Sequence, residues 1–455
     1  MLNVIKKNSV ELPNLDIEAI STYVTKNLKP KVRKIDDEFY YPSDEIKGLG
    51  NFGAFSNHLS KANKSGRIEA LKSVQAMSAV SEICMSTGFC VWCHDACGWY
   101  LENTHNNSLR EKYIYRVGSA LQIGATGLSN PMKNISGIEK MKLIGERVSD
   151  GYIINGSLPW ISNLGQDHIF GAVFQSKKNH DHKIMGLFDC KDVGIIMDDH
   201  MKHMSMDGTG TYSIRFKDAF ISDEMLLADP APAFMKAIRP GFIYLQMGMG
   251  IGLVRGCAKL MEKQRDSLGH INNYLELQPE DFVEKASELE SRLVKLEGDL
   301  LCGEQDYLRE ILLARIDVSE LSLKAAETAM LHCGARGFVK GAEANRKVRE
   351  SYFVAIVTPA IKHLKKEVAR TKSLLNKKLI PLEQYETLVF ELEQLETQKN
   401  KFLSSQLATL YQEISDLEDN LKKTQIQKTE IAVKIKQEEI SNEKFISKVL
   451  KEKNS

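Results

Sequence analysis

Between about residues 121 and 230 the chain changes its rhythm, and that change constrains the fold more than any motif does. Gly, Asn and Asp recur about every eight to twelve residues, between short apolar runs such as Tyr152-Ile-Ile-Asn155, His168-Ile-Phe-Gly-Ala-Val-Phe174 and Thr211-Tyr-Ser-Ile-Arg-Phe216. Short runs with turn residues at that spacing predict an antiparallel β domain. The flanking sequence has a helical period instead. A piece from Arg67 to about Gly98 carries Leu71, Val74, Met77 and Val80 three apart, as a buried helix face requires. Farther on, Gly248, Gly252 and Gly256 recur every four residues in helical sequence. Glycine costs roughly 1 kcal/mol against alanine in a helix interior. The glycine ridge therefore predicts close approach of a neighbouring helix rather than a phosphate loop.

These patterns predict an α+β chain in four zones. They are an N-terminal helical domain over residues 1–120, an antiparallel β domain over 121–230, a C-terminal four-helix bundle over 231–371, and a helical tail over 372–455. In the tail Leu403, Leu407, Leu410, Ile414, Leu417 and Leu421 alternate four and three apart, the seam of a coiled coil. A single amphipathic helix cannot bury such a stripe, so the tail is expected to pair with itself, another subunit or another protein.

Charge excludes some partners. With 61 basic and 60 acidic residues there is no net field to favour nucleic acid. The first residues lack an apolar secretory segment, and no run of about 18 apolar residues suggests a membrane span. The eight cysteines are thus expected to be reduced, and the compartment cytoplasmic. Cys84, Cys90, Cys93 and Cys97 crowd into one segment, and Cys90, Cys93 and Cys97 share a helix face with His94 beside them. Zinc sites take ligands from tight turns more often than from one long helix face, so buried apolar cysteines are the expectation and no metal is assigned. His200 and His203 read as a solvated loop. No dinucleotide fingerprint, Walker loop, nucleophile elbow or zincin pair is present.

Five segments in order carry a more specific signal. They are Gly124-Ala-Thr-Gly-Leu-Ser-Asn-Pro131, Asp150-Gly-Tyr-Ile-Ile-Asn-Gly-Ser-Leu-Pro-Trp-Ile-Ser162, Met206-Asp-Gly-Thr-Gly-Thr-Tyr-Ser-Ile-Arg-Phe-Lys-Asp218, Phe234-Met-Lys-Ala-Ile-Arg-Pro240, and Gly334-Ala-Arg-Gly-Phe338 with Arg349-Glu350. Over about residues 60 to 370 this series resembles the acyl-CoA dehydrogenase family, to which the tail adds a segment of its own.

The resemblance implies a flavin oxidoreductase that acts on an acyl thioester, binds FAD noncovalently, and forms a homo-oligomer because the family's flavin site draws on two subunits. It implies that Leu128 and Ser129 meet the isoalloxazine ring, that Trp160 packs against it, and that Ser162 bonds near N5. It also implies that Arg265 reaches the pyrophosphate in a neighbouring subunit, a task suited to a bidentate guanidinium, and that Arg239 lies at the substrate. The family's proton-abstracting glutamate aligns with Thr358, and its alternative seat, just before the arginine, with Ile238. Neither can act as a base; Glu350, at the family's Arg-Asp position, is one further candidate, although that position has a structural role in the family. Other family flavin contacts fall on Leu331, Ala335, Ala360 and Lys362. Two further readings stand beside the dehydrogenase: a flavin-dependent monooxygenase of the same fold, and an inactive scaffold that works through its coiled-coil tail.

Overall fold

The computed structural model describes residues 12–198, 202–301 and 305–378. The described residues up to Lys372 form one compact unit. The heptad seam from Leu403 to Leu421 lies outside the described residues, as does His200.

The N-terminal part is helical: α1 (Ile17–Tyr23), α2 (Val32–Asp37), α3 (Ser43–Leu49), α4 (Ala70–Ile83), α5 (Met85–Asn103) and α6 (Asn107–Gly118). Asp16 starts α1 by accepting the Ala19 N–H at 2.9 Å. The periodic stretch from Arg67 to Gly98 is two helices rather than one. Cys84 is extended (φ −145°, ψ 106°), and its carbonyl accepts the Gly88 N–H at 3.0 Å to begin the next helix. Gly88 makes the fold-back possible, because a Cβ there would fall 2.9 Å from the Ser81 Cβ.

Helix α5 runs through the middle of the unit and is buried from Met85 to Glu102. A helix buried on all sides must satisfy its polar side chains internally. Trp92 Nε1 donates to the Phe242 carbonyl at 3.3 Å, and Trp99 Nε1 to the Ile238 carbonyl at 2.8 Å. His94 donates from Nε2 to the Val117 carbonyl (2.8 Å) and accepts the Gly124 N–H at Nδ1 (2.9 Å), which ties the helix to the first strand. Burial, partly opposed by the Val117 bond, takes the His94 imidazole down to about 4 and keeps it neutral. Cys90, Cys93 and Cys97 are buried thiols, and burial raises all three.

Eight strands follow: β1 (Gly124–Thr126), β2 (Leu143–Val148), β3 (Gly151–Ile161), β4 (Ile169–Ser176), β5 (Lys183–Asp189), β6 (Ile195–Asp198), β7 (Tyr212–Ser222) and β8 (Leu226–Ala228). Helix α7 (Ser129–Ile135) sits between β1 and β2. The sheet order is β6-β7-β3-β2-β4-β5-β8, with β1 beside β4. The expected antiparallel sheet is mixed: β1 and β2 both run parallel to β4, with Gly124 opposite Ile169 and Ile144 opposite Gln175. Turn spacing reports hairpins between consecutive strands, whereas these parallel pairs join strands separated by longer connections. Phe170, Phe188 and Phe216 pack edge and face at 5.2–6.2 Å in the core of the sheet.

Helices then return: α8 (Pro232–Leu245), α9 (Met247–Glu262), α10 (Arg265–Asn272), α11 (Pro279–Leu296), α12 (Gln305–Cys333), α13 (Ala335–Phe338), α14 (Glu343–Ile356) and α15 (Ile361–Lys378). The glycine ridge of α9 lies against α4, as its spacing predicts. A Cβ at Gly248 would stand 2.6 Å from the Val74 carbonyl oxygen and one at Gly256 2.5 Å from that of Glu82, while one at Gly252 would meet the Ser78 carbonyl. Among the described residues no helix is long and apolar enough to cross a membrane.

Candidate active site

A cavity of about 690 Å³ opens where the sheet meets the helices. Its polar wall comes from the sheet side. Trp160 and Ser162 lie at the end of β3, Thr126 ends β1, Ser129 begins α7, and Thr209 and Thr211 precede β7. The hydroxyls are chained: Ser162 Oγ lies 2.6 Å from Thr211 Oγ1, which lies 2.7 Å from Thr209 Oγ1, and Tyr100 Oη lies 2.6 Å from Thr126 Oγ1. Trp160 is 45% exposed, and its ring lies 5.5 Å from the His203 ring. Phe89, Trp92, Phe242 and Phe353 form an apolar floor, with ring contacts of 4.6–5.7 Å.

The third wall runs from Val357 to His363, the turn after α14 together with the first residues of α15. A buried polar chain holds it from behind. Arg315, fully buried on α12, donates from Nε to Gln246 Oε1 (3.0 Å) and from Nη2 to the Val354 carbonyl (2.6 Å). Gln246 Nε2 in turn donates to the Thr358 carbonyl at 2.9 Å. In front, Thr358 Oγ1 lies 3.0 Å from Ser129 Oγ, which closes the cavity between turn and α7.

Charges cluster at two places. Glu139 is bound by Lys133 at 2.9 Å, by Asn130 at 3.2 Å, and lies 3.7 Å from Lys142. Burial alone would raise its carboxyl, but these donors outweigh burial and hold it below the usual carboxylate range. Arg349 pairs with the buried Asp36 through Nη1 at 2.8 Å and also donates to the Met204 carbonyl at 2.9 Å, fastening the helical domain and the loop before β7 to α14.

Four of the residues singled out from sequence converge here: Ser129, Trp160, Ser162 and Thr358 all line the cavity, as do Ala360 and Lys362. Leu128 is buried beside it, capping α7, with its carbonyl accepting the Met132 N–H at 3.0 Å. Arg239 does not line the cavity; its guanidinium pairs with Glu367 on α15. Ile238 is buried with its carbonyl taken by Trp99. Glu350 is 1% exposed and bound by Arg346 at 2.8 Å, away from the cavity. Arg265 is on the surface at the start of α10, paired with Glu262 at 3.0 Å and with Glu280. Leu331 and Ala335 are also exposed. Sequence reasoning missed the aromatic floor, the Asp36–Arg349 clamp, and the cavity positions of His203 and His363. For His363 a signal existed, because it stands five residues beyond Thr358.

A half-exposed indole, a row of hydroxyl donors and an aromatic floor make up a site for a flat heteroaromatic ring with acceptor atoms at its edges. Residues 17–120 match the family profile of the acyl-CoA dehydrogenase N-terminal domain. The mouse mitochondrial short-chain specific acyl-CoA dehydrogenase is 23% identical, over 76% of this chain and 87% of its own length. Butyryl-CoA dehydrogenase from Megasphaera elsdenii superposes with a TM-score of 0.69 at 15% identity, covering 79% of this chain and 97% of that one.

The chain has the acyl-CoA dehydrogenase fold.

The dibenzothiophene monooxygenase of Paenibacillus sp. A11-2 shares this fold, with a TM-score of 0.65 at 12% identity over 78% of this chain and 96% of that one. Within the acyl-CoA dehydrogenase fold, then, the site is to be read from its own side chains rather than from the architecture.

Proposed function

We propose that this acyl-CoA dehydrogenase-like chain is a flavin-dependent oxidoreductase acting on an acyl thioester. The observation that carries the reading is the convergence of Ser129, Trp160, Ser162 and Thr358 on one cavity with an aromatic floor. The donor set fits FAD: the Trp160 face suits the isoalloxazine ring, and the hydroxyls of Ser129, Ser162 and Thr358 suit its nitrogen and oxygen edge. Lys133 and Lys362, both lining the cavity, supply positive charge for phosphate groups. FAD, when bound, accepts a hydride equivalent from the substrate. The chain positions the substrate against it, and the floor of Phe89, Trp92, Phe242 and Phe353 excludes water from an acyl chain. A homo-oligomer in which Arg265 reaches a neighbouring subunit's phosphates completes this reading, and the residues beyond 372 are the proposed contact for a protein partner.

The side chain at Thr358 favours a second reading. A threonine hydroxyl is far too weak a base to take a carbon-bound proton near neutral pH, and monooxygenase chemistry on this fold does not depend on a glutamate there. The visible spectrum of the purified protein, followed by anaerobic addition of acyl-CoAs of several lengths, separates the two. Bleaching of a flavin spectrum by an acyl-CoA supports the dehydrogenase. Flavin that stays oxidised with every acyl-CoA but, once reduced by dithionite or a flavin reductase, is reoxidised by oxygen with hydroxylation of an added substrate supports the monooxygenase. Colourless protein that refuses added FAD sinks both.

A further inference from the structure

Resting on the acyl-thioester reading, the remaining question is which side chain removes the proton from the carbon next to the thioester carbonyl. The cavity narrows the choice. Glu139 is the one carboxylate among the described residues that line it, and its lysine and asparagine donors make it a poor base. Burial raises the Cys93 thiol well above neutrality and keeps it protonated. Lys133 is held in an ion pair with Glu139. His203 stands on the loop before β7, its ring against Trp160 and its Nδ1 3.6 Å from Asp207 Oδ1, rather than beside Thr358.

We propose that His363 is the general base of this site. It is 8% exposed, lines the same cavity as Thr358, and stands on the first turn of α15. Its backbone N–H donates to the Ala360 carbonyl at 2.7 Å, so the chain turns tightly between Thr358 and His363 and keeps both on the cavity wall. Among the described residues no side-chain hydrogen bond engages its ring. Its ring nitrogens are not among the buried atoms left without a partner, so they stand open to the cavity and available to a ligand.

The surroundings of the ring set its protonation state. Burial and the neighbouring Lys362, Lys133 and Lys366 lower its imidazole below the ordinary histidine value, and Glu367 opposes them only in part. The imidazole is therefore neutral at physiological pH, with one ring nitrogen free to accept a proton. The same positive surroundings, with the partial positive charge of the α15 N-terminus, favour an enolate oxygen nearby. In the step itself the ring nitrogen forms an N–H bond to the α-proton. The C–H electron pair moves into the carbon–carbon bond of the enolate, and the thioester oxygen takes up the negative charge. Return of a proton from the imidazolium reverses the step without any oxidant, so the base can be tested apart from redox turnover.

The test is solvent deuterium exchange into 3,3-dimethylbutyryl-CoA, which has α-hydrogens but no β-hydrogen to lose, measured by mass spectrometry in D2O with the full-length protein. The proposal expects wild-type protein to catalyse exchange, with a rate that holds at neutral pH and falls as pH drops below the ordinary histidine value of about 6.5. It expects His363→Gln to lose about 100-fold or more of that rate, with thioester affinity measured by calorimetry nearly unchanged. Because a glutamine variant can fail for reasons of folding, His363→Ala with added imidazole is the second arm, and recovery of exchange supports the assignment. Exchange at the wild-type rate in His363→Gln overturns the assignment while leaving the acyl-thioester reading in place. So does wild-type protein that binds the thioester without exchanging it. Wild-type protein that binds no thioester overturns that reading and the base together.

Discussion

Replacing Gly252 by alanine tests the helix contact on which the unit is built. In an unconstrained helix the change would stabilise by roughly 1 kcal/mol, because alanine loses less backbone freedom. Here the new Cβ would stand 2.7 Å from the Ser81 Cβ and 3.0 Å from the Glu82 N, and closer still to the Ser78 carbonyl oxygen. Carbon atoms in contact prefer about 3.5–4.0 Å, so α4 and α9 must part by roughly 1 Å. Two of these obstacles are backbone atoms, which cannot rotate away as a side-chain tip can. Overpacking a core costs about 1–3 kcal/mol, and backbone obstacles put this case at the upper end. The net expectation is a loss of about 2 kcal/mol. Gly269→Ala on α10 is the matched control, since its Cβ meets nothing nearer than the Arg265 Cβ at 3.9 Å, and it should gain up to about 1 kcal/mol. Urea titrations followed by circular dichroism compare the two midpoints against wild type. Equal shifts in the same direction would refute the argument that α4 and α9 are in backbone contact.

Three further outcomes are expected. Trp160→Ala should leave the melting temperature almost unchanged, because the ring is half exposed, yet weaken FAD retention; loss of stability with FAD binding intact would assign Trp160 to the β core instead. Asp95 is fully buried with neither carboxylate oxygen hydrogen-bonded, and burial holds its carboxyl well above the usual range. A raised folded-state value means that its contribution to stability is complete at low pH and is lost as pH rises above the unfolded value of about 3.9. Asp95→Asn should therefore melt above wild type at pH 8, with the gap closing toward pH 4, and a gap that widens on acidification would contradict it. Gln246→Leu strips partners from the buried Arg315 and from the Thr358 carbonyl. It should cost about 1–3 kcal/mol and loosen the turn that carries Thr358 and His363; a variant as stable as wild type by calorimetry would remove Gln246 from that role.

Particular elements show how much of this was readable beforehand. The punctuation of residues 121 to 230 announced the strands, because strand and turn preferences act over a few residues. It could not announce that β1 and β2 lie parallel to β4, since that pairing joins segments far apart in the chain. The break at Cys84 was hidden for a related reason: Leu71, Val74, Met77 and Val80 and the following helix share one apolar period, and the fold-back shows only as the tight fit of Gly88 on Ser81. Arg349 was visible as part of a family-like pair, but its partner Asp36 lies 313 positions away.

What the sequence by itself determined is therefore local and periodic. It contained the two helical regions and the strands between them, and the glycine ridge that must face another helix. Tertiary structure alone decided which side chains share the cavity. It set Ser129 against Thr358, sent Arg239 to Glu367 and Glu350 to Arg346, and put His363 on the cavity wall. The physical reason is one of range. Helix and strand periods are imposed by neighbours three or four residues away, whereas a site is assembled by burial, which brings together residues whose separation in the chain carries no signal.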